Sequence, residues 1–194
     1  MAWKTPDRRV QRTHQLLQTA LIGLIQEKGY EALTVQDIID RANVGRATFY
    51  AHFDSKEDLL VSRLDGLRTS LQARQKQARL GSRSEDQMFA YSREIFVHAD
   101  EHRTVFRSMV GKRSGAIVQQ LFHKMLIDLV REDVKALVPS KPAGGIPHEG
   151  VAQLIAGGLF GLILWWVDGP AKMTAEEVDA LFRRMAMPAV QALR

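Results

Sequence analysis

Along the whole chain apolar residues recur three and four positions apart, and nowhere is a polar/apolar alternation sustained. No Asn-Gly or Asp-Gly pair sits between β-branched runs, so hairpin signals are missing too. The pattern predicts an all-α protein. Leu16, Leu17, Ala20, Leu21, Leu24 and Ile25 mark one face of a first helix, closed by Lys28 and Gly29 in the basic-then-glycine manner. Thr34 with Asp37 approximates a capping box and opens a second helix, whose inner face is Val35, Ile38, Ile39 and Ala42. Asn43 tolerates the left-handed backbone of a tight turn, and a third short helix follows from about Gly45 to Ala51. Ser55 with Asp58 starts a fourth helix, with Leu59, Leu60, Leu64, Leu67 and Leu71 along one side and an end near Gly81.

Further helices are expected at about 84–99, 102–110, 114–137, 148–167 and 175–192, about nine in all. Ser84 with Gln87 and Thr174 with Glu177 read as capping boxes, and Asp168-Gly169-Pro170 reads as a stop. Pro139 to Pro147, with three prolines and Gly144-Gly145, reads as a surface loop. The expected organisation is a helix-turn-helix module over residues 1–60 and a larger helical domain over residues 61–194.

Composition narrows the classes. At 194 residues, 45% hydrophobic and 25% charged, the chain has the make-up of a folded globular protein. It has no cysteine, which removes disulfides, thiol catalysis and any zinc site that needs a thiolate. The net charge of +5 is local: residues 63–83 carry 6 basic and 1 acidic side chains, while the segments on either side are balanced. That stretch reads as a solvated helix face before a second nucleic-acid surface. Lys4, Arg8, Arg9 and Arg12, opposed by Asp7, could form a phosphate-seeking arm. The longest uncharged segment, Gly150 to Val167, is 18 residues with Gln153 and four glycines, and reads as a buried or subunit-interface helix instead of a membrane span. The first apolar stretch follows a basic run and is already helical in period, unlike a secretory signal, so a cytoplasmic protein is expected.

Two short helices joined by a tight turn can read DNA if the second lies in the major groove with an apolar inner face, small or polar residues outward and phosphate-binding groups at its flanks. Thr34 to Leu60 supplies each part: Val44, Phe49 and Phe53 inward, and Arg46, Ala47, Thr48, Tyr50 and His52 outward. Lys56 falls at the start of the fourth helix, where free backbone amides also favour phosphate. The block from Ala47 to Leu60, ATFYAHFDSKEDLL, resembles the third and fourth helices of the tetracycline-repressor (TetR) family of bacterial transcriptional regulators. Tyr50, His52, Phe53, Lys56 and Leu59 stand at its signature positions. The resemblance covers about residues 10–60, including a first helix ending in Lys28-Gly29-Tyr30; Phe96 to Gly111 and Gly158 to Met173 also look like one of the family's carboxy-terminal subgroups. The family usually has alanine where Ile39 stands, glycine where Asn43 stands and serine where Gly45 stands.

The resemblance implies that Thr34, Tyr50, His52 and Lys56 sit on phosphates of double-stranded DNA while Arg46, Ala47 and Thr48 approach base edges. Plainer roles stay open: Thr34 as a helix cap, Tyr50 and His52 as half-buried side chains, Lys56 as a solvated charge and Arg46 as an ordinary exposed arginine. It also implies a homodimer through the last two helices, for which Gly157, Gly158, Gly161, Val178, Leu181, Phe182 and Met185 are candidates. An inducer pocket is implied as well, with Phe89, Phe96, Phe106, Met109, Phe122, Met125, Trp165 and Trp166 as candidate lining, although such residues fit a plain core equally. An apolar small molecule is the expected ligand. His98 and His102 have the four-residue spacing of a helical metal pair, but a helix break between them would part the imidazoles, and no metal or other cofactor is expected. No phosphate loop, nucleophile elbow or catalytic carboxylate pair appears, so an enzyme is not expected. The expectation is a repressor released by a small molecule; the alternative is a DNA-bound adaptor for a protein partner.

Overall fold

The structure, a computed structural model, describes residues 8–81, 87–110, 116–138, 145–170 and 172–193. Among them are nine helices and no strand: α1 (Arg8–Lys28), α2 (Val35–Ala42), α3 (Arg46–Tyr50), α4 (Lys56–Arg79), α5 (Ser92–Glu101), α6 (Arg103–Val110), α7 (Ala116–Leu137), α8 (His148–Asp168) and α9 (Ala175–Gln191).

The amino-terminal helices begin and end where local chemistry tells them to. α1 buries Leu17, Ala20, Leu21, Leu24 and Ile25, and Gly29 takes φ +78° just past its end. Thr34 caps α2 reciprocally with Asp37. Asn43 ends α2 at φ 51°, ψ 50°, and Val44 N–H reaches back to Ile39 O at 3.0 Å, which sets the tight turn into α3. α3 starts at Gly45 with no side-chain cap. Ser55 caps α4 by accepting Asp58 N–H at 3.1 Å. α4 then runs 24 residues without interruption, crossing position 60 and continuing into the larger bundle.

The fifth helix departs from expectation. A helix over 84–99 is predicted by periodicity, yet α5 begins at Ser92, and Phe89 has φ +57°; Ser84 lies outside the described residues. Side chains from distant helices claim the backbone that a helix needs: Asp133 accepts Phe89 N–H at 2.9 Å, and Arg183 donates to Met88 O at 2.8 Å and Phe89 O at 3.2 Å. The buried Phe89 ring packs on Phe182 at 5.2 Å. Tertiary contacts thus override local propensity, as they often do.

Asp133 is fully buried and also accepts from Gln75 Nε2 at 2.6 Å and Arg79 Nη2 at 3.0 Å, which fixes α4 to α7. Two members of the basic stretch expected to be solvated therefore differ from it: Gln75 is buried, and Arg79 pairs with the core. α8 lies between α7 and α9. It is 21 residues long with a mean hydropathy of 1.8 over its most apolar window, long and apolar enough to cross a membrane, but it packs within the bundle through Val151, Ile155, Leu159, Ile163 and Trp166. Trp166 donates its indole N–H to Met173 O at 3.0 Å and carries the Arg103 guanidinium 4.7 Å from its ring centre.

Candidate nucleic-acid interface

α3 is five residues long, so its two faces separate cleanly. Phe49 is fully buried and packs on Phe53 at 6.0 Å, while Arg46, Ala47, Thr48 and Tyr50 are exposed together on the outer side. Tyr50 is 46% exposed, and the Arg46 guanidinium stands 5.6 Å from its ring centre. Arg46 also approaches Gln36 Oε1 at 3.4 Å, placing the exposed Gln36 of α2 beside the α3 patch. Periodicity gives no reason to single out Gln36; only the α2–α3 angle brings it there.

His52 is half-buried in the turn before α4, its ring edge-on to His14 of α1 at 5.0 Å; His14 in turn lies 4.7 Å from Phe53. Burial, and then the charge of His52, hold the His14 imidazolium below its usual range. His14 is another neighbour of the patch that the sequence motif does not mark.

Thr34 and Lys56 are both tied to the protein itself. The Thr34 hydroxyl accepts Asp37 N–H at 3.2 Å and lies 2.6 Å from Asp37 Oδ2, while Lys28 pairs with Asp37 at 2.8 Å. The Lys28 ammonium first, then Thr34, pushes the Asp37 carboxyl well below the usual carboxylate range. Lys56 Nζ donates to Tyr30 O at 3.1 Å and Leu33 O at 2.8 Å and stands 4.5 Å from the Tyr30 ring centre. Its ammonium points into the α1–α2 loop, whereas its backbone amide stays at the α4 amino terminus.

The eight candidate pocket residues divide into several places. Phe106 and Phe122 line a cavity of about 40 Å³ between α4, α5, α6 and α7, together with Arg63, Leu64, Leu67 and His98. Met125 lines a neighbouring cleft of about 120 Å³ between α4 and α7. Phe96 and Trp166 instead form a filled aromatic core with Phe182, at 5.8 and 6.4 Å from Phe96, and Phe89 belongs to the same cluster. Trp165 points outward and is 49% exposed. The Met109 side chain lies outside the described ones.

The candidate dimer face divides too. Val178 and Phe182 are buried in the protomer's own core, because the α9 stripe they occupy faces α5 and α8. The outward stripe is Leu154, Gly158, Gly161 and Trp165 of α8 with Met185 of α9; Leu154 is 67% and Met185 71% exposed. Leu181 and Gly157 are half-covered at its margin. A Cβ built on Gly157, Gly158 or Gly161 would meet nothing within 4 Å among the described residues outside the helix's own backbone, so this part of α8 has room for a close neighbour.

A short outward-facing helix held by a second one across a tight turn, joined by a shared helix to a larger bundle, is the build of a DNA-binding transcriptional regulator. Residues 17–62 match the family model of bacterial regulatory proteins of the tetR family, and residues 86–188 match that of a transcriptional regulator C-terminal region. The HTH-type regulator YxbF of Bacillus subtilis (strain 168), itself uncharacterized, is 47% identical over 58 residues, which is 29% of this chain and 15% of that protein. Matched stretches span between 15% and 29% of the curated relatives' lengths. Over the whole fold, a TetR regulator from Streptococcus agalactiae 2603V aligns with a TM-score of 0.68 at 29% identity, covering 93% of this chain and 96% of that one. FadR from Bacillus subtilis, in complex with stearoyl-CoA, aligns at 0.64 and 17% identity, covering 93% and 100%. The chain belongs to the TetR family of transcriptional regulators. Such proteins are DNA-binding factors and not enzymes.

Proposed function

We propose that this regulator is a cytoplasmic homodimeric repressor that leaves an inverted-repeat operator when a small apolar ligand enters its carboxy-terminal domain. The observation that carries the reading is the α3 surface, where Arg46, Ala47, Thr48 and Tyr50 stand exposed over a buried Phe49. Arg46 and Thr48 then meet base edges, with Ala47 small enough to let the backbone approach. Tyr50, His52 and the backbone amides at the start of α4 meet phosphates. Thr34 and Lys56 act one step back, holding α2 and α4 in place through Asp37 and the carbonyls of Tyr30 and Leu33.

A single recognition helix binds weakly, so two are needed, related by a two-fold axis. The stripe of Leu154, Gly158, Gly161, Trp165 and Met185, with Leu181 at its edge, fits the pairing face, since bare glycines let a second helix come close. The reading head is residues 1–60 and the effector domain residues 61–194, with α4 common to both. The ligand's place is the apolar cavity of Phe106 and Phe122, extended toward Met125. At about 40 Å³ it holds little more than one water, so α4, α6 and α7 must part to admit an effector. The acyl chain of the stearoyl-CoA bound by FadR, a protein of the same fold, supports an effector with an apolar part. That small volume also favours a second reading, a DNA-bound adaptor whose larger domain engages a protein.

The test is selection of genomic fragments by the purified protein at physiological salt, then titration of the recovered sites. Inverted repeats are expected, and Tyr50→Ala should weaken every site while Arg46→Ala relaxes discrimination at one position per half-site, by about 1–3 kcal/mol. Full affinity in Tyr50→Ala would sink this docking.

A further inference from the structure

We propose that the elbow between α5 and α6 is a binding site for a divalent transition ion, Zn²⁺ above all, held by His98, Glu101 and His102. Neither the DNA interface nor the effector cavity is needed for this inference.

A helix break at this point is the reason to expect the two imidazoles to diverge. They do not diverge. Only His102 leaves helical geometry, at φ −120°, ψ 33°, and the hydrogen bonds run straight through it: His102 N–H to His98 O at 3.1 Å and Phe106 N–H to His102 O at 3.0 Å. Positions 98 and 102 therefore keep the one-turn relation of neighbours on a helix face, and Glu101 falls on the same side. The ring centres of His98 and His102 are 4.6 Å apart. One donor atom from each of the three side chains lies within 4.8 Å of the other two. Bonds of about 2.0–2.1 Å at tetrahedral angles set zinc ligands about 3.4 Å apart. Glu101 and His102 are exposed and free to rotate the remaining distance.

The neighbouring carboxylates are occupied. Asp100 pairs with Arg103 at 3.4 Å and Glu94 with Arg74 at 3.8 Å, whereas no ion pair or hydrogen bond holds the Glu101 carboxylate among the described residues. Two imidazoles and one carboxylate form the donor set of open zinc sites, with the fourth position left to water. Mg²⁺ and Ca²⁺ prefer more oxygens than this site offers. The Arg63 guanidinium, near enough to His98 to act on its charge, opposes a cation, and the Glu101 carboxylate offsets it.

The elbow has mechanical reach. α6 packs against α1 of the reading head, and His98 lies on the walls both of the 40 Å³ cavity and of the cleft shared by α1 and His102. An ion that pins α5 to α6 thereby fixes the surface on which α1 rests.

Tag-free full-length protein titrated with Zn²⁺ against a chromophoric chelator should bind one ion per protomer, saturably. Co²⁺ should give a visible absorption band that saturates at the same ratio. His102→Ala should lower Zn²⁺ affinity at least as much as the roughly 10–100-fold that outer-shell changes cost, with an unchanged metal-free melting curve. Glu101→Gln should lower it less. The proposal is overturned if the wild-type protein shows no saturable binding. It is equally overturned if both variants bind as the wild type does, which would place the ion elsewhere, such as His14 with His52.

Discussion

Lys56 separates two accounts of the reading head, and replacing it with methionine tells them apart. Methionine keeps the apolar stem and deletes the ammonium, which removes the donors to Tyr30 O and Leu33 O and the contact with the Tyr30 ring. A hydrogen bond from a charged donor contributes about 1.5–3 kcal/mol and an exposed cation–π contact about 0.5–1 kcal/mol. Lys56 is half-buried, so water recovers part of this for the abandoned carbonyls. A net loss of about 2–3 kcal/mol follows. With a urea slope of about 2 kcal/mol per molar, the unfolding midpoint should fall by about 1 M, measured at matched protein concentration because a dimer's stability depends on it. A lysine that instead neutralised a phosphate would leave the midpoint alone and reduce the salt slope of DNA binding by about 0.9. A midpoint unchanged within error, together with that shallower slope, would refute the assignment of Lys56 as an internal brace.

Other substitutions probe other parts of the molecule. A Cβ on Gly45 meets nothing closer than Thr48 Oγ1 at 3.7 Å, so Gly45→Ser should fit, cap α3 and raise stability by a few tenths of a kcal/mol, about 0.3, in urea unfolding. Phe182→Ala should cost about 3–5 kcal/mol by emptying the aromatic core, whereas Met185→Glu should leave the fold intact and shift sedimentation toward the monomer; the reverse pattern would misplace the pairing face. Hydrogen bonds from Arg131, then Gln153, hold the Glu149 carboxyl down at about 2 against an ordinary 4.5. A depressed carboxylate stabilises the folded state above its unfolded value and loses that contribution as pH falls. Urea midpoints should therefore drop between about pH 4.5 and pH 2, less steeply in Glu149→Gln.

Where structure follows from neighbours in the chain, it is legible in the sequence. Thr34 with Asp37, Asn43, Ser55 with Asp58, and Thr174 with Glu177 mark helix ends through contacts four residues long or shorter, and each is found where its pattern lies. What escapes is whatever depends on a partner far along the chain. The turn at Phe89 is made by Asp133 and Arg183, 44 and 94 residues away. Periodicity marks Val178, Phe182, Leu181 and Met185 as one amphipathic set, but which edge faces inward depends on the angle at which α9 crosses α8. Phe96 and Trp166 are aromatic in the same way as Phe106 and Phe122, and only the packing decides which pair borders empty space. Lys56 stands at a motif position whichever way its ammonium points.

α4 is a continuous rod of 24 residues, about 36 Å long at 1.5 Å per residue. It is fastened at both ends by charge: Lys56 to the carbonyls of Tyr30 and Leu33, Gln75 and Arg79 to the buried Asp133. A rod clamped this way would carry a tilt along its whole length. Pivoted near Asp133, a tilt of about 5° carries its far end through about 3 Å. In a two-fold dimer, two such rods swinging symmetrically would change their separation by about 6 Å, against the roughly 34 Å between successive major grooves on one face of DNA. A tilt of only a few degrees about the Asp133 end would thus open a mismatch of nearly two base steps between two reading heads.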